Sequence, residues 1–182
     1  MTTTLNTYPD AKFVPITTAN TGGPMQRNRV RLFVIHIAQG LNQSGTDAWF
    51  NNPAAQVSAH FSISRTGVVH QYVKLDWVAW AEQDYNDVAI SIEHEGDSGM
   101  TLTTRQLAAS LKLLAWLHGQ FPHVPLHRTA NPNGSGVIGH GELGVPGGDH
   151  PDCPGNPVLG QLDRALRTPA TPARKPRLPF LG

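Results

Sequence analysis

One short apolar run constrains the fold more than any other feature of this chain. Residues 30–36 are Val-Arg-Leu-Phe-Val-Ile-His, and a mostly apolar, β-branched run of this length is typical of a β-strand buried on both faces. The run ends at His36, and Gly40 follows soon after, so the imidazole would point into the cleft built by the next loops. Considered alone, a histidine at such a place is more often a hydrogen-bonded core residue than a ligand, and both interpretations stay open here.

Two further stretches predict strands by their period of two. In residues 57–64 apolar side chains alternate with polar ones, and the chain then turns at residues 65–67 into a second strand at residues 68–73, which predicts a β-hairpin. His60 is on the polar face, where it either lines a cleft or is solvated. Residues 88–95 alternate in the same way and place Glu93 and Glu95 on one face. Either these carboxylates belong to a solvated face, or one of them is a general base.

Two helices are predicted from capping and periodicity. Thr103 and Gln106 resemble a capping box, and leucines at helical spacing follow as far as about Gly119, so we expect a long, purely structural helix there. A shorter helix is expected at residues 46–53, with Trp49 and Phe50 buried.

Composition limits the class of protein. A chain of 182 residues suffices for one well-packed domain, which we place at residues 1–167. Residues 1–29 are expected to be irregular, and residues 168–182 are predicted to form a Pro-rich basic tail or linker. The formal net charge of +1 argues against nucleic-acid binding by bulk electrostatics. The single cysteine excludes an internal disulfide, and we expect a monomer with neither a membrane span nor a signal peptide.

A possible metal site is indicated by the only cysteine and two histidines. Residues 137–140, Val-Ile-Gly-His, predict a short strand that ends at His140, and Cys153 is followed by Pro-Gly in a rigid turn. Thiolate and imidazole are the ligands that zinc prefers. Together with His36 they make three ligands and leave one position open, which is the pattern of a catalytic zinc site. Asp152 in place of Cys153, and His150 in place of either histidine, remain alternatives.

The order of several motifs resembles a known family. The motifs are Phe-Val-Ile-His at residues 33–36, Val-Ser-Ala-His-Phe at 57–61, Gly-Val-Val-His-Gln-Tyr-Val at 67–73, Ala-Trp at 79–80, Ile-Ser-Ile-Glu at 90–93, Gly-His at 139–140 and Asp-Cys-Pro-Gly at 152–155. In this order they resemble the zinc N-acetylmuramoyl-L-alanine amidases of the amidase-2 family, which includes phage endolysins and peptidoglycan recognition proteins. The resemblance covers roughly residues 30–167 and is greatest to the amidases of actinobacteria and their phages.

The resemblance implies a fold and a set of site residues. The implied fold is α/β, a mixed central β-sheet flanked by helices with one Zn²⁺ in a surface groove. It implies His36, His140 and Cys153 as the zinc ligands, and Glu93 falls where one branch of the family has its catalytic glutamate.

The chain departs from the family pattern at two places. Many members have a histidine and a small residue after the tryptophan of the Ala-Trp motif, where this chain has Ala81 and Glu82. The position two before the cysteine usually holds Lys, Thr or His, where this chain has Pro151. We expect His150, one position earlier, to assist at the oxyanion instead.

The expected reaction is hydrolysis of the amide between N-acetylmuramic acid and L-alanine of the peptidoglycan stem peptide. Glu93 would act as the general base and His150 would donate a hydrogen bond to the oxyanion. His60, Trp80 and Tyr85 are the candidate substrate-binding residues, and the modest net charge suits a neutral glycopeptide.

Two other functions are compatible with the residue types. One is a non-catalytic peptidoglycan-binding module, and the other is a zinc peptidase acting within the stem peptide. We expect the protein to be made in the cytoplasm and to reach the cell wall through a partner pore, as in phage-type lysis.

Overall fold

The computed structural model describes residues 5–167, and within them a mixed six-stranded sheet is the central element. Its strand order is β1-β5-β4-β7-β3-β8, and β2 and β6 form a separate two-stranded sheet. The strands are β1 Lys12–Phe13, β2 Thr21–Pro24, β3 Leu32–Ile37, β4 Phe61–Ile63, β5 Val69–Gln71, β6 Trp77–Ala79, β7 Ala89–His94 and β8 Gly136–Gly139. The α-helices are α1 Gln43–Phe50, α2 Thr104–Gln120 and α3 Asn156–Arg167.

Strand β3 lies in the middle of the sheet, between β7 and β8, and runs parallel to both. All six of its residues are buried, which confirms the strand predicted from the apolar run. His36 is the direct partner of Glu93 on β7, and Ile35 is the partner of Gly139 on β8. Because parallel strands end at the same edge of a sheet, His36, Glu93 and His140, which follows Gly139, lie at the same edge.

The two faces of β3 belong to different layers. Phe33, Ile35 and Ile37 pack into the main core cluster together with apolar residues of α2 and α3. Leu32 and Val34, which alternate with them, belong to a smaller cluster on the opposite face. His36 follows Val34 at a spacing of two, so its side chain points to the face away from α2 and α3. The expected mixed sheet flanked by helices is confirmed.

Helix α2 begins with the predicted capping box. The Thr103 hydroxyl accepts from the backbone N–H of Gln106 at 3.1 Å, and the Gln106 side chain accepts from the backbone N–H of Thr103 at 3.4 Å. The amide of Gln106 also donates to the carbonyls of Ile63 and Glu95. The helix is therefore attached to the sheet beside the end of β7, and the predicted helix with its capping box is confirmed.

Helix α1 differs from the prediction at its start, at its end, which is Phe50 and not residue 53, and in the burial of one tryptophan. It begins earlier because the Asn42 side chain accepts from the backbone N–H of Ser44 at 3.0 Å and so caps the first turn. The prediction that Trp49 is buried is wrong, since Trp49 is 55% exposed whereas Phe50 is 5% exposed. Successive helical residues point about 100° apart, so burial of Phe50 turns Trp49 outward.

Other differences concern the ends of the chain and the hairpin. The predicted β4–β5 hairpin is present, but β4 is buried on both faces. The segment expected to be irregular contributes β1 and β2, and α3 was not predicted. The tail predicted at residues 168–182 lies outside the described residues. No helix within residues 5–167 is long and apolar enough to cross a membrane.

Candidate active site

Three side chains that are far apart in sequence meet at one edge of the sheet. His36 is near the end of β3, His140 directly follows β8, and Cys153 is in the loop before α3. One ligand atom of each lies within 4.8 Å of those of the other two, and among the described residues this is the group whose arrangement could hold a metal ion. The alternative ligands Asp152 and His150 are both exposed and are not part of the group.

Backbone contacts hold Cys153 beside the two strands. The N–H of Ile37 donates to Cys153 Sγ at 3.3 Å, and the N–H of Gly141 donates to the Cys153 carbonyl at 2.6 Å. A Cβ on Gly141 would lie 2.7 Å from the carbonyl oxygens of His150 and Pro151. A glycine at position 141 is therefore needed for the loop to approach β8 closely enough to deliver the thiol.

The second nitrogen of each histidine ligand candidate is already bonded. His140 Nε2 donates to the Gly147 carbonyl at 2.8 Å, and His36 Nε2 lies 2.9 Å from Glu82 Oε1. The Gly147 carbonyl can only accept, so Nε2 carries the proton in His140, and an ionised Glu82 imposes the same tautomer on His36. Nδ1 of each ring is then the atom left free for a cation.

The electrostatics of the three groups suit a cation. Burial lowers the pKa of His36 to about 3 and that of His140 to about 4, so both rings are neutral near pH 7, as metal ligation requires. Burial raises the pKa of Cys153 to about 12. A cation at this point would oppose that effect, because a coordinating thiol is deprotonated. Two neutral imidazoles and one thiol make a donor set that fits Zn²⁺.

Glu93 lies next to this group and has a free oxygen. Its Oε1 is 3.8 Å from His36 Nδ1, and its Oε2 is buried with no hydrogen-bond partner among the described residues. Burial, and then the charge of Glu82, raise the pKa of Glu93 to about 8. Glu95, the other acid predicted on this strand, instead accepts from the backbone N–H of Arg65 at 2.9 Å. Glu93 therefore has the free acceptor that a general base needs.

The group opens into a cavity of about 570 Å³. Its lining includes the three ligand candidates, Glu93, His150, Trp80, Trp49 and Leu41. The exposed His150 ring lies 4.7 Å from the His140 ring, centroid to centroid. The structure thus brings the predicted residues His150 and Trp80 to the same cavity as the ligand candidates.

Two predicted substrate-binding residues are not at the cavity. His60 is fully buried, with Nε2 donating to the Trp77 carbonyl at 3.1 Å and Nδ1 accepting from the Ser91 N–H at 3.2 Å. It lies neither in a cleft nor in solvent, because β4 is covered on both faces. Tyr85 packs against the smaller core cluster, with the Arg31 guanidinium 5.7 Å from its ring centroid.

Sequence reasoning missed two residues of this region. One is Glu82, the acceptor for His36, which the sequence analysis treats only as a departure from the family pattern. The signal that could have identified it is an acidic residue two positions after the tryptophan of the Ala-Trp motif. Trp49, which lines the cavity, was assigned to the core because its helix had too few residues to define the buried face.

Comparisons with known proteins agree with this geometry. The family model described as N-acetylmuramoyl-L-alanine amidase (Amidase_2) matches residues 26–156. N-acetylmuramoyl-L-alanine amidase A from Achromobacter lyticus is 37% identical over 70 residues, which are 38% of this chain and 39% of that protein. The chain thus spans well under half the length of this curated relative.

Solved structures share the fold. A selenomethionine derivative of AmpD superposes with a TM-score of 0.69 at 24% identity, covering 92% of this chain and 100% of that one. Hydrolase AmiA from Staphylococcus aureus, solved with its ligand, gives 0.66 at 16% identity, covering 87% and 83%. PlyL gives 0.64 at 14% identity, covering 87% and 97%.

Proposed function

Because the chain belongs to the N-acetylmuramoyl-L-alanine amidase family, we propose that it hydrolyses the amide between N-acetylmuramic acid and L-alanine of the stem peptide in peptidoglycan. One observation carries the proposal. Two imidazole nitrogens and a thiol sulfur lie within 4.8 Å of one another, beside a carboxylate with an unpaired oxygen. The match to the amidase of Achromobacter lyticus covers only 39% of that protein. The proposed activity therefore depends on the site residues of this chain.

The cofactor we propose is one zinc ion, held by His36, His140 and Cys153. When bound, zinc supplies a Lewis acid that polarises a carbonyl and lowers the pKa of water to about 7. Three protein ligands are the number found in catalytic zinc sites, whereas structural zinc sites usually have four, so this donor set would suit a catalytic zinc ion.

Glu93 and His150 provide the proton transfer and the hydrogen bonding. Glu93 takes a proton from the attacking water and returns it to the nitrogen of the leaving L-alanine. Burial raises the pKa of Glu93 in the metal-free site, and a bound cation would lower that pKa again, which favours the ionised carboxylate that accepts the proton. His150, at the mouth of the cavity, donates a hydrogen bond to the oxyanion that develops on the carbonyl.

The cavity walls suggest how the glycopeptide is held. Trp80 and the exposed Trp49 present indole rings on the lining, with Leu41 beside them. Aromatic faces of this kind bind the apolar faces of sugar rings and peptide side chains with little loss of conformational entropy. The formal net charge of +1 is in keeping with a substrate that is not a strong polyanion.

Mass spectrometry of digested cell wall tests the proposal. The zinc-loaded protein is expected to produce free lactyl-muramic ends together with peptides that carry a new N-terminal alanine. Cleavage within the stem peptide would instead identify a zinc peptidase, and binding without products would identify a peptidoglycan-binding module. Either result would reject the amidase assignment.

We also propose that the protein acts on the cell wall after release through a partner pore. The structural neighbours include the Ph2119 endolysin of a Thermus scotoductus bacteriophage, which supports this setting. Expression in bacteria with and without a pore-forming protein tests it, because lysis should require the pore. Lysis of equal rate without the pore would contradict this route.

A further inference from the structure

Glu82 is a fully buried carboxylate in the site that the expected catalytic machinery does not use. Its side chain has no exposed surface, and its Oε1 lies 2.9 Å from Nε2 of the metal-ligand candidate His36. Its Oε2 has no hydrogen-bond partner among the described residues. A carboxylate is costly to bury, and such a group is rarely found without a specific partner. In the described part of the chain, His36 makes the closest polar side-chain contact with Glu82, and the Ser91 hydroxyl and the ring of His60 are also near enough to affect its carboxyl group.

The backbone of Glu82 is fixed independently of His36. The Asn86 side chain accepts from the N–H groups of both Ala81 and Glu82, at 2.9 and 2.6 Å. The same segment continues through the 3₁₀ helix Gln83–Val88 into β7, which carries Glu93. The carboxylate is therefore held by the segment that also positions the proposed base, and the bond to His36 is not needed to keep that segment in place.

The two histidine ligand candidates differ in what supports them. His140 Nε2 donates to a backbone carbonyl, that of Gly147, whereas His36 Nε2 meets a side-chain carboxylate. A carboxylate is the stronger acceptor. Acceptors of this kind keep the proton on the outer nitrogen, orient the ring and increase the basicity of the nitrogen that faces the metal.

We propose that Glu82 is a positioning residue for the metal site, whose carboxylate accepts the Nε2–H of His36 and so directs Nδ1 at the cation. This inference rests on the proposed function, because it concerns the same three-ligand site. Glu82 touches neither substrate nor cation, and its contribution is to metal affinity through His36.

The test compares zinc affinity in three variants of the 182-residue chain. Glu82→Leu removes the acceptor at similar volume, and Glu82→Gln keeps an acceptor oxygen without the charge. Gln106→Ala, the control, removes a buried polar side chain that is bonded to the Thr103 N–H and to the carbonyls of Ile63 and Glu95, none of them a residue of the ligand group. Zinc affinity is measured by competition with a chelator, and Co²⁺ substitution gives an optical signature of the ligand geometry.

We expect Glu82→Leu to bind zinc about 10- to 100-fold more weakly than the parent protein, with an altered Co²⁺ spectrum. Glu82→Gln should show a smaller, measurable loss. Gln106→Ala should lower the melting temperature and leave zinc affinity within about twofold, which separates positioning from general destabilisation.

Zinc affinity of Glu82→Leu equal to that of the parent protein would overturn the inference and leave the proposed function intact. If Glu82→Leu does not fold, Glu82→Gln decides, because it removes the charge by which the carboxylate is proposed to strengthen His36 as a ligand. Unchanged zinc affinity and an unchanged Co²⁺ spectrum in Glu82→Gln would then overturn the inference. A parent protein that binds no zinc would instead contradict the proposed function itself.

Discussion

His36 and Glu93 are paired directly across the parallel strands β3 and β7, with Glu93 Oε1 3.8 Å from His36 Nδ1. A proposed metal ligand and the proposed general base thus lie on neighbouring central strands of one sheet. Strands that are buried on both faces move little, so this pair is pre-organised by the sheet and does not depend on a loop. The site's remaining ligand candidates come from the adjacent strand end and from one loop.

The first prediction concerns the thiol ligand. Cys153→Ala should lose bound zinc and all measurable hydrolysis, because two imidazoles alone are a weak site for zinc. Metal content by atomic spectroscopy and product formation by mass spectrometry provide the measurements. Asp152→Ala is the matched control, since the exposed Asp152 lies outside the ligand group, and it should retain both properties. Loss of zinc in the control and retention in Cys153→Ala would reverse the assignment.

The second prediction separates the base from the metal site. Glu93→Gln is nearly isosteric, so it should keep about one zinc per chain while kcat falls by roughly 10²–10⁴-fold, the usual contribution of general acid–base catalysis. Glu95→Gln should retain activity, because the Glu95 side chain is engaged with the Arg65 N–H away from the cavity. Normal turnover in Glu93→Gln together with its loss in Glu95→Gln would move the base role to Glu95.

A third prediction follows from the exposure of Trp49. Trp49→Ala should raise KM several-fold, corresponding to about 1 kcal/mol of lost contact, with kcat nearly unchanged, because Trp49 lines the cavity and is not one of the ligand candidates. Trp77→Ala is the control, as Trp77 is a partly exposed tryptophan outside the cavity lining. A KM unchanged by the Trp49 substitution would exclude the indole from substrate binding.

The fold should be sensitive to acid because of buried neutral histidines. Burial lowers the pKa of His60 and His94 to about 4, against 6.5 for an exposed imidazole. As the pH falls below 6.5 these two histidines take up protons in the unfolded chain but not in the folded chain, so their contribution to the free energy of unfolding is most favourable above pH 6.5. It then decreases down to about pH 4, with a slope approaching about 1.4 kcal/mol per pH unit for each histidine.

Urea unfolding of metal-free protein at several pH values measures this slope. His94→Gln should reduce the slope of the free energy of unfolding against pH, between pH 6.5 and 4, by the contribution of one buried histidine. His127→Gln, at an exposed position, is the control and should leave the slope unchanged. An identical pH dependence in His94→Gln and the parent protein would show that His94 is protonated in the folded state.

The sequence predicted those features that depend on local pattern. The apolar run at residues 30–36 predicted a central strand, and Thr103 with Gln106 predicted the start of α2, because burial on both faces and helix capping leave short-range signals. The three ligand candidates were also identifiable, since imidazole and thiol are uncommon residue types with a strong chemical preference.

The rest depended on tertiary packing that no local pattern encodes. His60 has the alternating position of a surface residue, yet β4 lies between β5 and β7 in the sheet and is covered on both faces. Glu82 is on a segment without periodicity, and only the return of the chain between β6 and β7 places it against His36. The orientation of Trp49 depended on which neighbour in α1 reached the core.

X-ray absorption at the zinc edge of the loaded protein tests the central claim most directly, because it reports the ligand atoms around the metal. The account predicts two nitrogen ligands at about 2.0 Å and one sulfur at about 2.3 Å, with the sulfur contribution absent from Cys153→Ala. A zinc environment made only of nitrogen and oxygen in the parent protein would contradict the account.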